Sequence, residues 1–447
     1  MRRSIAAFVL LVLGASFSRG DGEAAGLGEL EKKVAATLSS SRTQEKLVFH
    51  WNPQVLKPAE VDAAVARNAG FYKDVEKRLA VSVPVPVHVF LYRDVAEMQT
   101  LTERAGGVVA FSSGHAVHEA FDYWDCHEMV HIFAQHIPSD ADSSPPDTFL
   151  VEGLATALQA RDRGTAMSDW AAIGLRAGRV PPLLELRRNW PNGCGAGVHP
   201  YHVAGSFVDF LIERFGIEKV KRLYTHSLEF QGTLGRSFVA LEREWRAWAL
   251  ARAVKPQDEE RVLATLGIGP EQRLPPELRD RKGVPLFDGR SLAGWTADAK
   301  DVWSVKAGVL TGVNAGKWSR LHTAEAKPDA LGVRLRFRVV SGNAFQTRLN
   351  ETKEGANEAI FAAWQTYLTK ARPDGTLEGV VAAAWRFAPG EWTDAVFVND
   401  AGTCRIFVNG FLVATSQAPV RAEPGAIELA VEEGSVEVAS VELLRRE

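Results

Sequence analysis

The feature that most constrains this chain is a change of hydrophobic period near Val284. Before it, apolar residues recur every three to four positions, as in Val61, Ala64, Val65, Ala69, Val75 and Leu79, which is the pattern of a helix with one buried face. After it, runs such as Leu331-Gly332-Val333-Arg334-Leu335-Arg336-Phe337-Arg338-Val339 alternate apolar and charged residues, which fits a strand with one buried face. One packed core cannot easily serve both patterns over 447 residues, so two domains are expected. Residues 43–254 are read as an α+β domain and 284–447 as an all-β sandwich. Residues 21–42, rich in Gly and Ala, and the charged, Pro-containing stretch 255–283 are read as linkers.

Within the first part, Pro58–Leu79 is expected to be a helix. A strand is expected over Val81–Tyr92, with Pro84 and Pro86 confining central pairing to its second half. A strand or hairpin follows at Gly107–His118. In the second part, Arg405-Ile406-Phe407-Val408-Asn409-Gly410-Phe411-Leu412-Val413 reads as a hairpin, because Asn-Gly supplies the left-handed dihedrals of a two-residue turn.

The chemistry is concentrated in His127-Glu128-Met129-Val130-His131. On a helix the two histidines lie one turn apart on one face and can close on one Zn²⁺. Glu128 flanks that face and can take a proton from an activated water without ligating the metal. A third ligand is still needed. Glu152 lies in the apolar run Phe149-Leu150-Val151-Glu152-Gly153-Leu154-Ala155, where a carboxylate without a partner costs several kcal/mol. His127, His131 and Glu152 are therefore the expected zinc ligands.

These motifs resemble the gluzincin metallopeptidases of the peptidase MA-like kind, which show H-E-x-x-H, about twenty residues, then E-G-[LI]-A. A third shared run is matched by Tyr201-His202-Val203-Ala204-Gly205-Ser206-Phe207-Val208-Asp209-Phe210-Leu211 through Gly216. The resemblance implies a zincin-like fold and a peptide or protein substrate that adds to the sheet edge before the metal helix. It also implies an oxyanion donor, Tyr201, with His199 and His202 as competitors. His115 and His118 are expected to be surface or edge residues. Where some relatives carry a carboxylate four residues after the ligand Glu, this chain has Thr156.

The opening Pro285-Leu286-Phe287-Asp288-Gly289 and Trp303-Ser304-Val305-Lys306-Ala307-Gly308 resemble the 3-keto-disaccharide hydrolase domains, which are concanavalin-like jelly-roll sandwiches. The family's central N-S-G-x-x-x-R signature is shortened here to Asn343-Ala344-Phe345-Gln346-Thr347-Arg348. A carbohydrate-binding or structural role is therefore expected for this domain.

Met1-Arg2-Arg3 and the apolar run from Ile5 to Leu13 have the form of a signal peptide over residues 1–20, implying export to the periplasm or beyond. No later stretch is long and apolar enough for a membrane span. A net charge of −3 gives no electrostatic reason to expect nucleic acid. Export permits a Cys126–Cys194 disulfide, and two buried free thiols fit equally well. The leading expectation is a secreted zinc metallopeptidase. The alternatives are a glycan-binding or adhesion protein with a non-catalytic zinc domain, and a glycoside-active enzyme working through the sandwich.

Overall fold

The computed structural model describes residues 27–104, 108–191, 198–227, 229–327, 329–352, 355–372, 376–383, 385–400, 402–417 and 425–446. The expected leader over 1–20 and Cys194 lie outside them. The chain divides into two compact units. One comprises the chain up to Ser168 with Leu186–Gly193 and His199–Leu241; the other comprises Asp169–Glu185, Cys194–Val198 and Glu242–Glu447.

The first unit begins with α1 (Glu29–Leu38), β1 (Ser40–Gln44) and β2 (Leu47–Trp51). The stretch expected to be a linker over 21–42 therefore contains structure. Val34 and Leu38 bury one face of α1, and β1 pairs antiparallel with β2. Next comes α2 (Pro58–Leu79), with Pro58 at its first position and the Lys57 amide donating to Glu60 Oε2 at 2.7 Å. Pro fits there because that first turn has no carbonyl for its N–H. β3 (Val87–Tyr92) starts only after Pro84 and Pro86, as those residues require.

After α3 (Val95–Thr102) come β4 (Ala110–Ser113) and β5 (Ala116–Ala120). The sheet order is β1-β2-β3-β5-β4, with β3 parallel to both β2 and β5. β4 therefore forms one edge, and β5 lies inside it. His118, expected at a surface or edge, is instead 0% exposed. Its ring stacks between Phe90 and Phe111 at centroid distances of 4.7 and 4.3 Å. Alternation points it into the sheet face that α1 covers.

The remaining helices are α4 (His127–Ala134) and α5 (Thr148–Gln159), followed by the short strands β6 (Arg161–Asp162) and β7 (Thr165–Ala166). They continue as α6 (Met167–Arg176), α7 (Leu183–Arg188), α8 (Pro200–Phe215), α9 (Ile217–Thr225), α10 (Phe230–Leu234) and α11 (Phe238–Leu250).

In the second unit the stretch expected to be a linker over 255–283 contains α12 (Pro256–Thr265) and α13 (Pro276–Arg279). Val262 and Leu263 are buried, and Leu278 packs with Leu331, Val396, Val398 and Leu444. The charge and proline that suggest a linker mark the exposed faces and first turns of these helices. Part of the α6–α7 segment belongs to this unit too. Glu185 pairs with Arg386 at 2.9 Å, and the Trp385 indole lies against Gly178, where a Cβ would come within 2.3 Å of it.

The rest is an all-β jelly-roll sandwich of two antiparallel sheets. In chain order its strands are β8 (Val284–Pro285), β9 (Trp295–Ala297), β10 (Trp303–Lys306), β11 (Val309–Asn314), β12 (Ser319–Thr323), β13 (Ala330–Gly342), β14 (Ala344–Thr352) and β15 (Gly355–Ala362). They are followed by β16 (Thr366–Ala371), β17 (Leu377–Ala383), β18 (Thr393–Asp400), β19 (Thr403–Val408), β20 (Phe411–Ser416), β21 (Ala426–Val431) and β22 (Gly434–Arg445). One sheet runs β10-β11-β22-β13-β18-β19-β20 with β8 on β22, the other β17-β16-β15-β14-β21-β12-β9. Phe337 meets Phe345 and Phe361 across the core, at centroid distances of 4.6 and 4.9 Å. Asn409 and Gly410 turn with φ of 51° and 86°, as their sequence requires. Among the described residues no helix is long and apolar enough to cross a membrane.

Candidate metal centre

Helix α4 is short, and its apolar residues Met129, Val130, Ile132 and Phe133 are buried, so His127 and His131 are left on the remaining face. Phe133 packs edge-on against Tyr72 of α2 at 4.8 Å. α5 begins at Asp147, whose carboxylate accepts the Phe149 amide at 3.1 Å and also bonds Arg187 Nε at 3.1 Å. That cap fixes where the helix starts and hence which way Glu152 points.

Glu152 Oε2 lies 3.1 Å from His127 Nε2 and 3.5 Å from His131 Nε2. One ligand atom from each residue lies within 4.8 Å of the other two. Their side chains are 11%, 15% and 10% exposed for His127, His131 and Glu152. Two donors on one zinc, each at about 2.0–2.2 Å in tetrahedral geometry, stand roughly 3.3 Å apart. Two imidazoles and a carboxylate at this spacing fit a divalent zinc ion. Burial opposes charge on His127, but the Glu152 hydrogen bond and the Glu128 and Asp125 charges outweigh it and push its pKa up to about 9. Burial likewise raises Glu152, and the two histidines overcome it, holding the carboxyl well below its usual range.

The third motif supplies α8. Gly153 and Gly205 let α5 and α8 approach closely. A Cβ on Gly153 would lie 3.0 Å from the Ala204 carbonyl oxygen, and one on Gly205 would lie 2.5 Å from Thr156 Cγ2. Thr156 is thus a packing residue. The approach brings Tyr201 to this cluster, its ring 6.0 Å from His127 and 5.1 Å from Trp190. Burial, then the Glu152 and Glu128 charges, raise the Tyr201 phenol above its usual range. Its hydroxyl is buried and has no hydrogen-bond partner among the described residues.

The other two candidates sit differently. His202 Nε2 is 3.0 Å from Asp162 Oδ2. His199 precedes α8, and burial followed by the His202 charge lowers its pKa to about 4, so it is a neutral ring. Glu128 is half-buried, and its charge acts on both His127 and Tyr201.

Sequence reasoning missed Asp125. Its Oδ1 accepts the His127 amide at 3.0 Å, and its Oδ2 accepts Gln159 Nε2 at 3.0 Å. An acid just ahead of a helix start is a recognisable cap signal, but the Gln159 partner is not. Tyr224 of α9 was missed too; burial and the Glu152 charge raise its phenol. Cys126 carries a buried free thiol that approaches the Leu158 carbonyl at 3.6 Å.

On the sandwich, core residues Phe345 and Leu349 place Gln346 and Arg348 on the opposite face of β14. There Glu358, Arg348, Glu428 and His322 stand side by side across β15, β14, β21 and β12. Arg348 reaches Glu358 at 2.9 Å and Glu428 at 3.4 Å, and both glutamates are buried.

No curated protein matches the chain. Solved structures similar to it include a carbohydrate-binding module from Bacillus subtilis, at 14% identity, 33% of this chain, 93% of that one and a TM-score of 0.29. A β-glucanase from Bacillus licheniformis is 9% identical over 36% of this chain and 97% of its own, with a TM-score of 0.31. A Bacillus subtilis protein with a galectin-like fold is 13% identical over 37% and 100%, with a TM-score of 0.30. Residues 282–443 match the family profile of the 3-keto-alpha-glucoside-1,2-lyase-like domain, so the expected C-terminal resemblance holds for the sandwich.

Proposed function

We propose that the first unit is a zincin-like, zinc-dependent hydrolase of peptide bonds, in a protein exported by its N-terminal apolar segment. The observation that carries this reading is the convergence of His127, His131 and Glu152, from two helices, with Glu128 and a Tyr201 hydroxyl unpartnered among the described residues beside them. A zinc ion held by those three residues would supply Lewis acidity and make water acidic near neutral pH. Glu128 accepts the proton of the attacking water and passes it to the leaving amine. The Tyr201 hydroxyl donates a hydrogen bond to the tetrahedral oxyanion. The Trp190 ring flanks that donor, 5.1 Å from the Tyr201 ring. β4, an open sheet edge, offers backbone groups to an extended peptide.

The test is a peptide library with protein depleted of metal and reloaded with zinc. Glu128→Gln should keep zinc and lose on the order of 10²–10⁴ in turnover, whereas His131→Ala should lose both. A Glu128→Gln protein as active as wild type ends the mechanism.

A second reading concerns the sandwich. The buried row Glu358-Arg348-Glu428 beside His322 offers charged donors and acceptors suited to sugar hydroxyls, and the family match over residues 282–443 supports it. We propose that this domain binds carbohydrate. A glycan array probed with the full chain and with His322→Ala tests it; equal retention by both would remove this face from consideration.

A further inference from the structure

His136 lies two residues beyond α4, and His115 lies in the turn between β4 and β5. Their Nε2 atoms face each other at 3.1 Å, with ring centroids 5.2 Å apart. In a plain hydrogen bond one ring donates and the other accepts. The same spacing lies near the roughly 3.3 Å that separates two imidazole nitrogens on one zinc.

The surroundings favour a cation. His115, with His88, Ser113 and Glu31, lines a cavity of about 240 Å³. Glu31 is 5% exposed. Its Oε1 is buried and accepts no hydrogen bond among the described residues, with His118 Nε2 standing off at 3.7 Å. His88 pairs with His50 at 2.9 Å. Burial lowers the proton affinity of His115 and His136, leaving the neutral rings that ligate metals. The His118 and Ser113 side chains hold the Glu31 carboxyl below its usual range, so it stays charged at the cavity wall.

We propose that His115 and His136 hold a second divalent transition-metal ion of the imidazole-preferring kind, such as Zn²⁺ or Ni²⁺, with water from the cavity completing its coordination. Imidazole donors suit these ions. The site is separate from His127, His131 and Glu152. It would tie the β4–β5 hairpin to the end of the helix that carries two of those residues.

The experiment is calorimetric titration of chelator-stripped full-length protein with zinc and, separately, nickel, with bound metal counted after dialysis. Wild type should take two equivalents of zinc. His115→Gln and His136→Gln should each take one, and His131→Ala should keep the one held here. Glutamine preserves hydrogen bonding but is a poor zinc donor, and far-UV circular dichroism checks each fold. Zinc binding by His115→Gln and His136→Gln equal to wild type overturns the proposal. So does a single wild-type equivalent that vanishes in His131→Ala. A wild-type equivalent that survives His131→Ala but vanishes in His115→Gln supports this site even where the first centre fails.

Discussion

Gln159 Nε2, in the last turn of α5, donates to Asp125 Oδ2 at 3.0 Å, and Asp125 Oδ1 accepts the His127 amide at 3.0 Å. One carboxylate therefore joins the helix that carries Glu152 to the helix that carries both histidines. Groups that orient metal ligands typically change affinity by about 10- to 100-fold. Gln159→Leu is expected to weaken zinc binding by about tenfold, measured by chelator competition, while the metal-free protein keeps its thermal midpoint. A large fall in that midpoint with unchanged affinity would make the contact merely structural.

Tyr201 gives a different signature. Its buried hydroxyl has no hydrogen-bond partner among the described residues, so Tyr201→Phe removes a polar group whose burial costs about 1–3 kcal/mol. The variant is expected to be as stable as wild type or more so and to bind zinc equally. Its kcat on a peptide substrate should drop by roughly 10²–10³ with little change in KM. Unaltered kcat would return the oxyanion role to His199 or to His202.

Glu119 makes stability depend on pH. Burial is the main cause that moves its pKa from 4.5 to about 7, against the Asn68 hydrogen bond and the Arg67 charge. The Asn68 contact measures 2.7 Å. The folded chain thus holds this proton more tightly than the unfolded one. The associated stability is full below the unfolded value and is lost as pH rises through the folded one. Urea unfolding between about pH 4.5 and 7 should show a decline of roughly 2–3 kcal/mol from this group. Glu119→Gln is expected to flatten that part of the curve.

Arg348 stands between two buried carboxylates, Glu358 and Glu428. Removing one partner of a buried ion pair typically costs about 3–5 kcal/mol, so Arg348→Met should destabilise the sandwich by that order in urea unfolding. Adding Glu358→Gln, which discharges one of the stranded groups, should recover part of the loss. A near-neutral single variant would show that water reaches this row.

The parts that could be read from sequence are those where a short spacing carries the physics. The i, i+4 histidines needed only a helix. Pro84 and Pro86 dictated where β3 begins, and Val333 to Val339 announced their strand by alternation. What escaped depends on groups far apart in the chain. Charge and proline made 255–283 look like a linker, yet buried Val262, Leu263 and Leu278 anchor its helices. His118 looked like an edge residue because nothing local reveals that β5 pairs between β3 and β4. The Gln159–Asp125 bond likewise spans 34 positions.

Gly153 follows Glu152 directly, so the peptide unit that presents this carboxylate is the same one that seats α5 against α8. A side chain at that seam cannot be accommodated by α8 alone, since the nearest atoms include the Ala204 backbone. Any spreading of the two helices must then drag the carboxylate off its point of convergence and carry Tyr201 away from it. The convergence of the three side chains and the helix spacing are therefore inherited together. Variation that leaves that joint untouched has to arise in the surrounding loops and sheet edge.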